Sequence, residues 1–264
     1  MKHQKLFTVI ISVVFALTVL ICLFFVFSVK EVKINFNVTE KGEEYSESAQ
    51  NDLDKFMNGN LLFLNTEKVK TALEKYAYFD IIEVKKVYPN RVEITVNERQ
   101  EGYFVKTETK GYILDVNGFC LKEVPLDFDN EDKLIELYGI SFSEITVGKP
   151  VVAEKSEIFE VALTMAKAAN LNNCIETMTV DVRKDSEAVL FETKTDVGIL
   201  VSKVMDGGVE KTLMVFGEYD NMTDYEKSYY WLNVYRLEET GEIKVVWTSE
   251  SALSEYLESL RGSL

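Results

Sequence analysis

The side chains that could do chemistry are few and poorly placed for it. The single histidine, His3, stands two residues after the first methionine, so nothing beyond the amino-terminal stub offers an imidazole base beside a Ser or Cys nucleophile. Ser-x-x-Lys, Gly-x-Ser-x-Gly and the P-loop pattern are absent. Cys22 lies in an apolar run, and Cys120 and Cys174 stand far apart without metal-ligand spacing. Those two either pair in an oxidising compartment or serve as small buried apolar residues. The 44 Asp and Glu residues contain enough carboxylates for a two-carboxylate hydrolase, but no spacing singles out a pair. The expectation is a binding protein, not an enzyme, with no catalytic residue, cofactor or metal.

The elements around these residues give a clearer picture. Leu6 to Val29 contains no charged residue and would span about 36 Å as a helix, enough to cross a bilayer core. The run is longer than a signal-peptide core and ends Phe24-Phe25-Val26-Phe27-Ser28-Val29 without a small-x-small cleavage site, so a retained anchor is expected. Lys2 and Lys5 precede it, which places the amino terminus in the cytoplasm and residues 30–264 outside. Removing those two lysines from the formal charge of −15 leaves −17 outside, a surface that repels nucleic acid.

Past the span, Val32, Ile34, Phe36 and Val38 alternate with polar residues as a half-buried strand. Leu53, Phe56 and Met57 predict a short helix ending at Asn58-Gly59, and Asn65 caps a second that carries Val69, Ala72, Leu73 and Tyr76. Phe79–Val87 and the alternating Val92, Ile94 and Val96 form two strands around a Tyr88-Pro89-Asn90-Arg91 turn. From Glu101 onward, short strands and tight turns dominate, including Gly102–Val105, Tyr112–Asp115 and the Asn117-Gly118 turn. A helix is predicted over Ile158, Val161, Ala162, Met165 and Ala169. Strands are predicted at Met178–Val182, Val189–Phe191, Ile199–Val201, Leu213–Val215 and Ile243–Trp247, with a last helix through Tyr225, Tyr229, Leu232 and Tyr235. Tyr229, Tyr230, Trp231 and Tyr235 are then either core residues at helical spacing or a recognition surface.

Asn60-Leu61-Leu62-Phe63-Leu64-Asn65, Tyr88-Pro89-Asn90, Val92 to Glu98-Arg99 and Gly111-Tyr112-Ile113-Leu114-Asp115, in that order, closely resemble the FtsQ/DivIB cell-division family. Leu137-Tyr138-Gly139-Ile140, Gly148, Val215-Phe216-Gly217 and Lys227, heading the last long helix, resemble its β domain in fragments. The resemblance implies an α+β chain: a cytoplasmic stub (1–5), a single transmembrane helix (6–29), a POTRA-like β-α-α-β-β domain (30–99), a β-rich domain with a few helices (100–248) and a carboxy-terminal tail (249–264). It implies a scaffold in the cell membrane at the division septum. Its partners would be FtsL-like and FtsB/DivIC-like bitopic proteins and septal peptidoglycan synthases. Alternatives are an anchored sensor or adhesion-like ectodomain and a membrane-tethered cell-wall or glycan enzyme. Candidate partner-binding residues are Tyr88, Pro89 and Asn90 in the turn, and Ile243, Lys244, Val245, Val246 and Trp247 in a late edge strand. The segment Ser249 to Glu258 is expected either to leave that edge open or to fold over it as a helix.

Overall fold

The computed structural model describes residues 2–37, 42–130, 134–169, 174–183 and 186–261. Val38 of the first predicted strand, Thr39–Lys41, residues 262–264 and the side chains of Lys2, His3 and Lys5 lie outside that description. The chain divides into two compact units, Met1–Arg99 and Gln100–Leu264.

The first unit opens with helix α1, Lys2–Val26. From Ile10 to Val26 its side chains are exposed and, apart from Ser12 and Thr18, apolar. Among the described residues no helix is long and apolar enough to cross a membrane. Strand β1 (Glu31–Phe36), helices α2 (Gly42–Leu53) and α3 (Thr66–Leu73), and strands β2 (Phe79–Val87) and β3 (Arg91–Glu98) follow in the expected β-α-α-β-β order. β3 is central, parallel to β1 and antiparallel to β2. Its Val92, Ile94 and Val96 are buried while Arg91, Glu93 and Thr95 between them keep partial exposure, as alternation predicts for a sheet with one covered face. Asn65 caps α3, its side chain accepting from Glu67 N–H at 2.9 Å.

One boundary differs from expectation. α2 covers Gly42–Leu53, upstream of the helix expected through Leu53, Phe56 and Met57, and Phe56 falls in a short 3₁₀ turn after it. Among the described side chains of α2, Ala49 and Leu53 are buried, with Tyr45 half-buried one turn earlier. Three apolar positions at intervals of four among acidic and small polar residues make a narrow stripe, and local composition hides it.

In the second unit, strands β4 (Glu101–Lys106), β5 (Gly111–Asp115), β6 (Cys120–Val124) and β7 (Ile135–Tyr138) precede a small hairpin, β8 (Phe142–Glu144) and β9 (Val152–Ala153). Helix α4 (Ser156–Ala168), strands β10 (Ile175–Asp181), β11 (Ala188–Thr193) and β12 (Gly198–Val201), helices α5 (Gly208–Asn221) and α6 (Asp224–Lys227), strands β13 (Trp231–Arg236) and β14 (Ile243–Thr248), and helix α7 (Ser254–Arg261) complete it. Nine strands form one sheet in the order β14-β13-β12-β11-β10-β7-β4-β5-β6. Buried residues of α4 and α5, such as Phe159, Met165, Val215 and Phe216, share one core with Met178, Phe191, Ile199 and Leu232 from the strands. The opposite face carries a second cluster in which Leu257 and Leu260 of α7 meet Ala188, Leu190, Leu200 and Trp231.

Three expectations fail in this unit. Leu213 and Val215 belong to α5, not to a strand; Val215 is buried with Phe216 and Tyr219 on one helical face while Leu213 is exposed. The helix expected through Tyr225, Tyr229, Leu232 and Tyr235 is a four-residue α6 followed by β13, so Lys227 ends a short helix and heads none. Thr223 and Glu226 close a capping box around α6, and the turns at Ser228–Tyr230 end it before a second helical turn can form. Trp231 is then fixed to the strand because Gly198, beside it in β12, leaves room for the indole; a Cβ there would overlap the ring.

Candidate partner-binding edge

β13 and β14 form an antiparallel pair in which Leu232 faces Trp247, Val234 faces Val245 and Arg236 faces Ile243. Leu237 N–H donates to Glu242 O at 2.9 Å just beyond the strands, and Ser202 N–H donates to Val234 O at 3.1 Å on the β12 side. Because hydrogen-bonded pairs alternate in an antiparallel ladder, Tyr235–Lys244, Asn233–Val246 and Trp231–Thr248 are the bonded pairs. The backbone groups of Ile243, Val245 and Trp247 therefore point away from β13. Among the described residues no strand pairs with them, so β14 is an edge.

The same alternation assigns the side chains. Ile243, Val245 and Trp247 pack partly buried against the α4–α5 core, and Trp247 Nε1 donates to Glu218 Oε1 of α5 at 3.1 Å. Lys244 and Val246 project from the other face; Lys244 pairs with Glu242 at 2.7 Å, and Val246 is 40% exposed. Tyr230 meets Trp247 edge-on with ring centroids 5.5 Å apart, while exposed Tyr225 and Tyr229 pack on each other at 4.8 Å. The structure thus places Tyr229 and Tyr230 at the surface and Trp231 in the core, dividing the cluster that the sequence presents as one.

The other candidate group lies in the first unit. Tyr88, Pro89 and Asn90 form the β2–β3 turn; Tyr88 and Pro89 are exposed, and the Tyr88 ring meets Phe27 edge-on at 5.9 Å. The two groups thus sit in different units. Among the described residues, no group of three or more His, Cys, Asp or Glu side chains could hold a metal ion. Cys120 is buried in the core of the second unit, and burial pushes its thiol up to about 11, so it is a poor nucleophile.

Residues 27–99, which contain the helix exit, the β-α-α-β-β order and the Tyr88 turn, match the POTRA domain, FtsQ-type. This match supports the FtsQ/DivIB family. The chain is similar to the cell division protein DivIB of Clostridium tetani (strain Massachusetts / E88), with 30% identity over 125 residues, 47% of this chain and 45% of the relative. With the cell division protein DivIB of Clostridium botulinum (strain Loch Maree / Type A3) it shares 26% identity over 159 residues, 58% of this chain and 59% of the relative. The chain spans about half to three fifths of the length of these curated relatives.

One further group, in the second unit, carries no signal in the sequence. Asp181, at the end of β10, accepts hydrogen bonds from Arg183 N–H at 3.1 Å, Nε at 2.8 Å and Nη2 at 2.5 Å, and another from the Tyr256 hydroxyl at 3.0 Å. Arg183 also donates to Ser259, so β10 and α7 are tied through one carboxylate. Burial alone would raise the Asp181 pKa, but the Arg183, Ser186 and Tyr256 hydrogen bonds outweigh it and hold the group below its ordinary value. Burial pushes the Tyr256 phenol up to about 12, so it remains a donor at any physiological pH. These residues lie some 75 positions apart in sequence, and only the tertiary fold brings them together. The Ser249–Glu258 segment leaves the β14 edge open and does not fold over it: its helix lies across β11, β12 and β13.

Proposed function

We propose that this chain is a bitopic scaffold of the bacterial division machinery, anchored by α1 with its amino terminus in the cytoplasm and residues 30–264 outside, and that it works by binding other division proteins. The observation that carries the reading is the outer edge of β14, whose unpaired backbone groups lie beside exposed Val246 and Tyr230 in a chain of the FtsQ/DivIB family. An added strand from an FtsB/DivIC-like partner would gain ladder hydrogen bonds from Ile243, Val245 and Trp247. Specificity would come from Lys244 and Val246 on one face. Through this partner and an FtsL-like one, the chain would couple septum formation to peptidoglycan synthesis. The relatives, each a cell division protein, support the role.

Support for the anchor comes from the uncharged run Leu6–Val29 and the exposed apolar side chains of α1 from Ile10 to Val26. Lys2 and Lys5 before that run support the orientation. The domain limits proposed with it are 1–5, 6–29, 30–99, 100–248 and 249–264.

The test is affinity capture of the full-length protein from its membrane, comparing the parent with Val246→Glu and Ile243→Pro. Val246→Glu places a charge on the exposed face of the edge without touching the ladder to β13. Ile243→Pro removes one outward N–H at the first strand residue, where proline is tolerated. A proline at Val246 would instead break the β13 ladder, because that N–H points inward. Loss of a bitopic division partner in both variants, at an unchanged melting temperature, is the expected result; full capture by both would exclude this edge.

A further inference from the structure

The chain leaves α1 through a backbone clasp. Leu61 N–H donates to Phe27 O at 2.7 Å, Val29 N–H donates to Gly59 O at 2.7 Å, and Asn58 N–H donates back to Val29 O at 2.9 Å. One residue further, Lys30 N–H donates to Asn90 O at 2.8 Å. Two turns, 58–63 and 88–90, are thereby held against the exit of the helix.

Both turns present apolar side chains there. Leu61 is fully buried and roots the first turn, after which Leu62 is 41% exposed and Phe63 84%. In the second, Tyr88 is 58% exposed and meets Phe27 edge-on. The first turn is built, not loose: Asn58 adopts φ 64°, Asn60 Oδ1 accepts from Leu62 N–H at 2.9 Å, and Lys86 Nζ donates to Leu62 O at 3.3 Å. Cations border the group. Lys30 is exposed, and Arg91 pairs with both Glu31 and Glu93, offsetting the nearest carboxylates.

Leucine and phenylalanine side chains held out from an ordered turn, beside a tyrosine and amphipathic lysines, have the composition of a membrane–water interface. Their attachment to the end of an apolar helix specifies which interface. We infer that Leu62, Phe63 and Tyr88 form a lipid-facing foot, seated in the headgroup region of the bilayer that α1 enters, so that the POTRA unit stands on the membrane at a fixed angle. This inference rests on the reading of α1 as an anchor.

The test uses full-length protein reconstituted in vesicles of phosphatidylcholine and phosphatidylglycerol, with benzoylphenylalanine placed singly at Phe15, Phe63 or Ile82. Ile82 is 55% exposed in the middle of β2 and serves as the control for chance contact. After irradiation, mass spectrometry reads lipid adducts, and a melting curve confirms that each variant is folded. The expected result is lipid adducts at Phe15 and Phe63, the latter about tenfold above Ile82. Adducts at Phe15 with no excess at Phe63 over Ile82 would overturn the foot and leave the anchor standing. A Phe63 crosslink to a second copy of the chain in place of lipid would also overturn it. No lipid adduct at Phe15 would overturn the anchor and the foot together.

Discussion

The two sheets solve burial differently. In the first unit the central β3 buries Val92, Ile94 and Val96 and leaves the residues between them partly exposed, whereas β12 in the second unit is buried at all four positions, Gly198 to Val201. The nine-stranded sheet has helices on both faces, α4 and α5 on one and α7 on the other, so its central strands meet apolar groups on either side. A one-sided sheet writes its orientation into the sequence as alternation; a two-sided sheet erases it.

This contrast can be broken at its strongest point by Ile94→Asp, which places an unpaired carboxylate in the one-sided core. A loss on the order of 4 kcal/mol or more is expected, read as collapse of the melting transition of the first unit. An unchanged melt would mean that β3 does not bury that face. In the two-sided sheet, Leu257→Ala should cost about 2–4 kcal/mol, because the side chain is buried between α7 and the strands. A cost below about 0.5 kcal/mol would show that α7 is a superficial tail, in the range of ordinary surface changes.

Acid should loosen the same contact. The Asp181 pKa is lowered in the folded state, so its contribution is fully present above the ordinary carboxylate value and is lost as pH falls through the depressed one. Protease protection of α7, followed downward from pH 5 in the parent and in Asp181→Asn, checks this. The parent should lose protection as pH falls, and the variant should start with less and show a flatter profile; parallel profiles would exclude Asp181 as the tie. The smallest effect on stability belongs to Val246→Glu, within about 0.5 kcal/mol at an exposed edge position. A larger loss would mean that the face of β14 away from α5 is covered.

The contrast also explains what could be read beforehand. Alternation located β3, the capping residue Asn65 located α3, and Asn117-Gly118 located the β5–β6 turn. α5 was misread because Leu213 and Val215 mimic alternation over a short window, although Leu213 is exposed and Val215 buried on a helix. β13 was misread because Tyr225, Tyr229, Leu232 and Tyr235 recur at helical spacing across a boundary set by the Thr223–Glu226 capping box. For the candidate edge, Ile243–Trp247 was legible as a strand, but which backbone groups face outward depends on the pairing with β13. The Asp181–Arg183–Tyr256 tie was not legible, since no local pattern links β10 to α7.

The position of β3 sets a schedule for the moving chain. It is the last-made strand of its sheet and lies between the other two, with β1 joined to it only through pairs such as Val32–Val92 and Phe36–Val96, sixty residues apart. Until residue 96 has been made, β1 and β2 have no common neighbour and α2 and α3 no finished surface to cover. The unit must therefore close in a single late step, and a chain interrupted before that point leaves nothing for folding to retain.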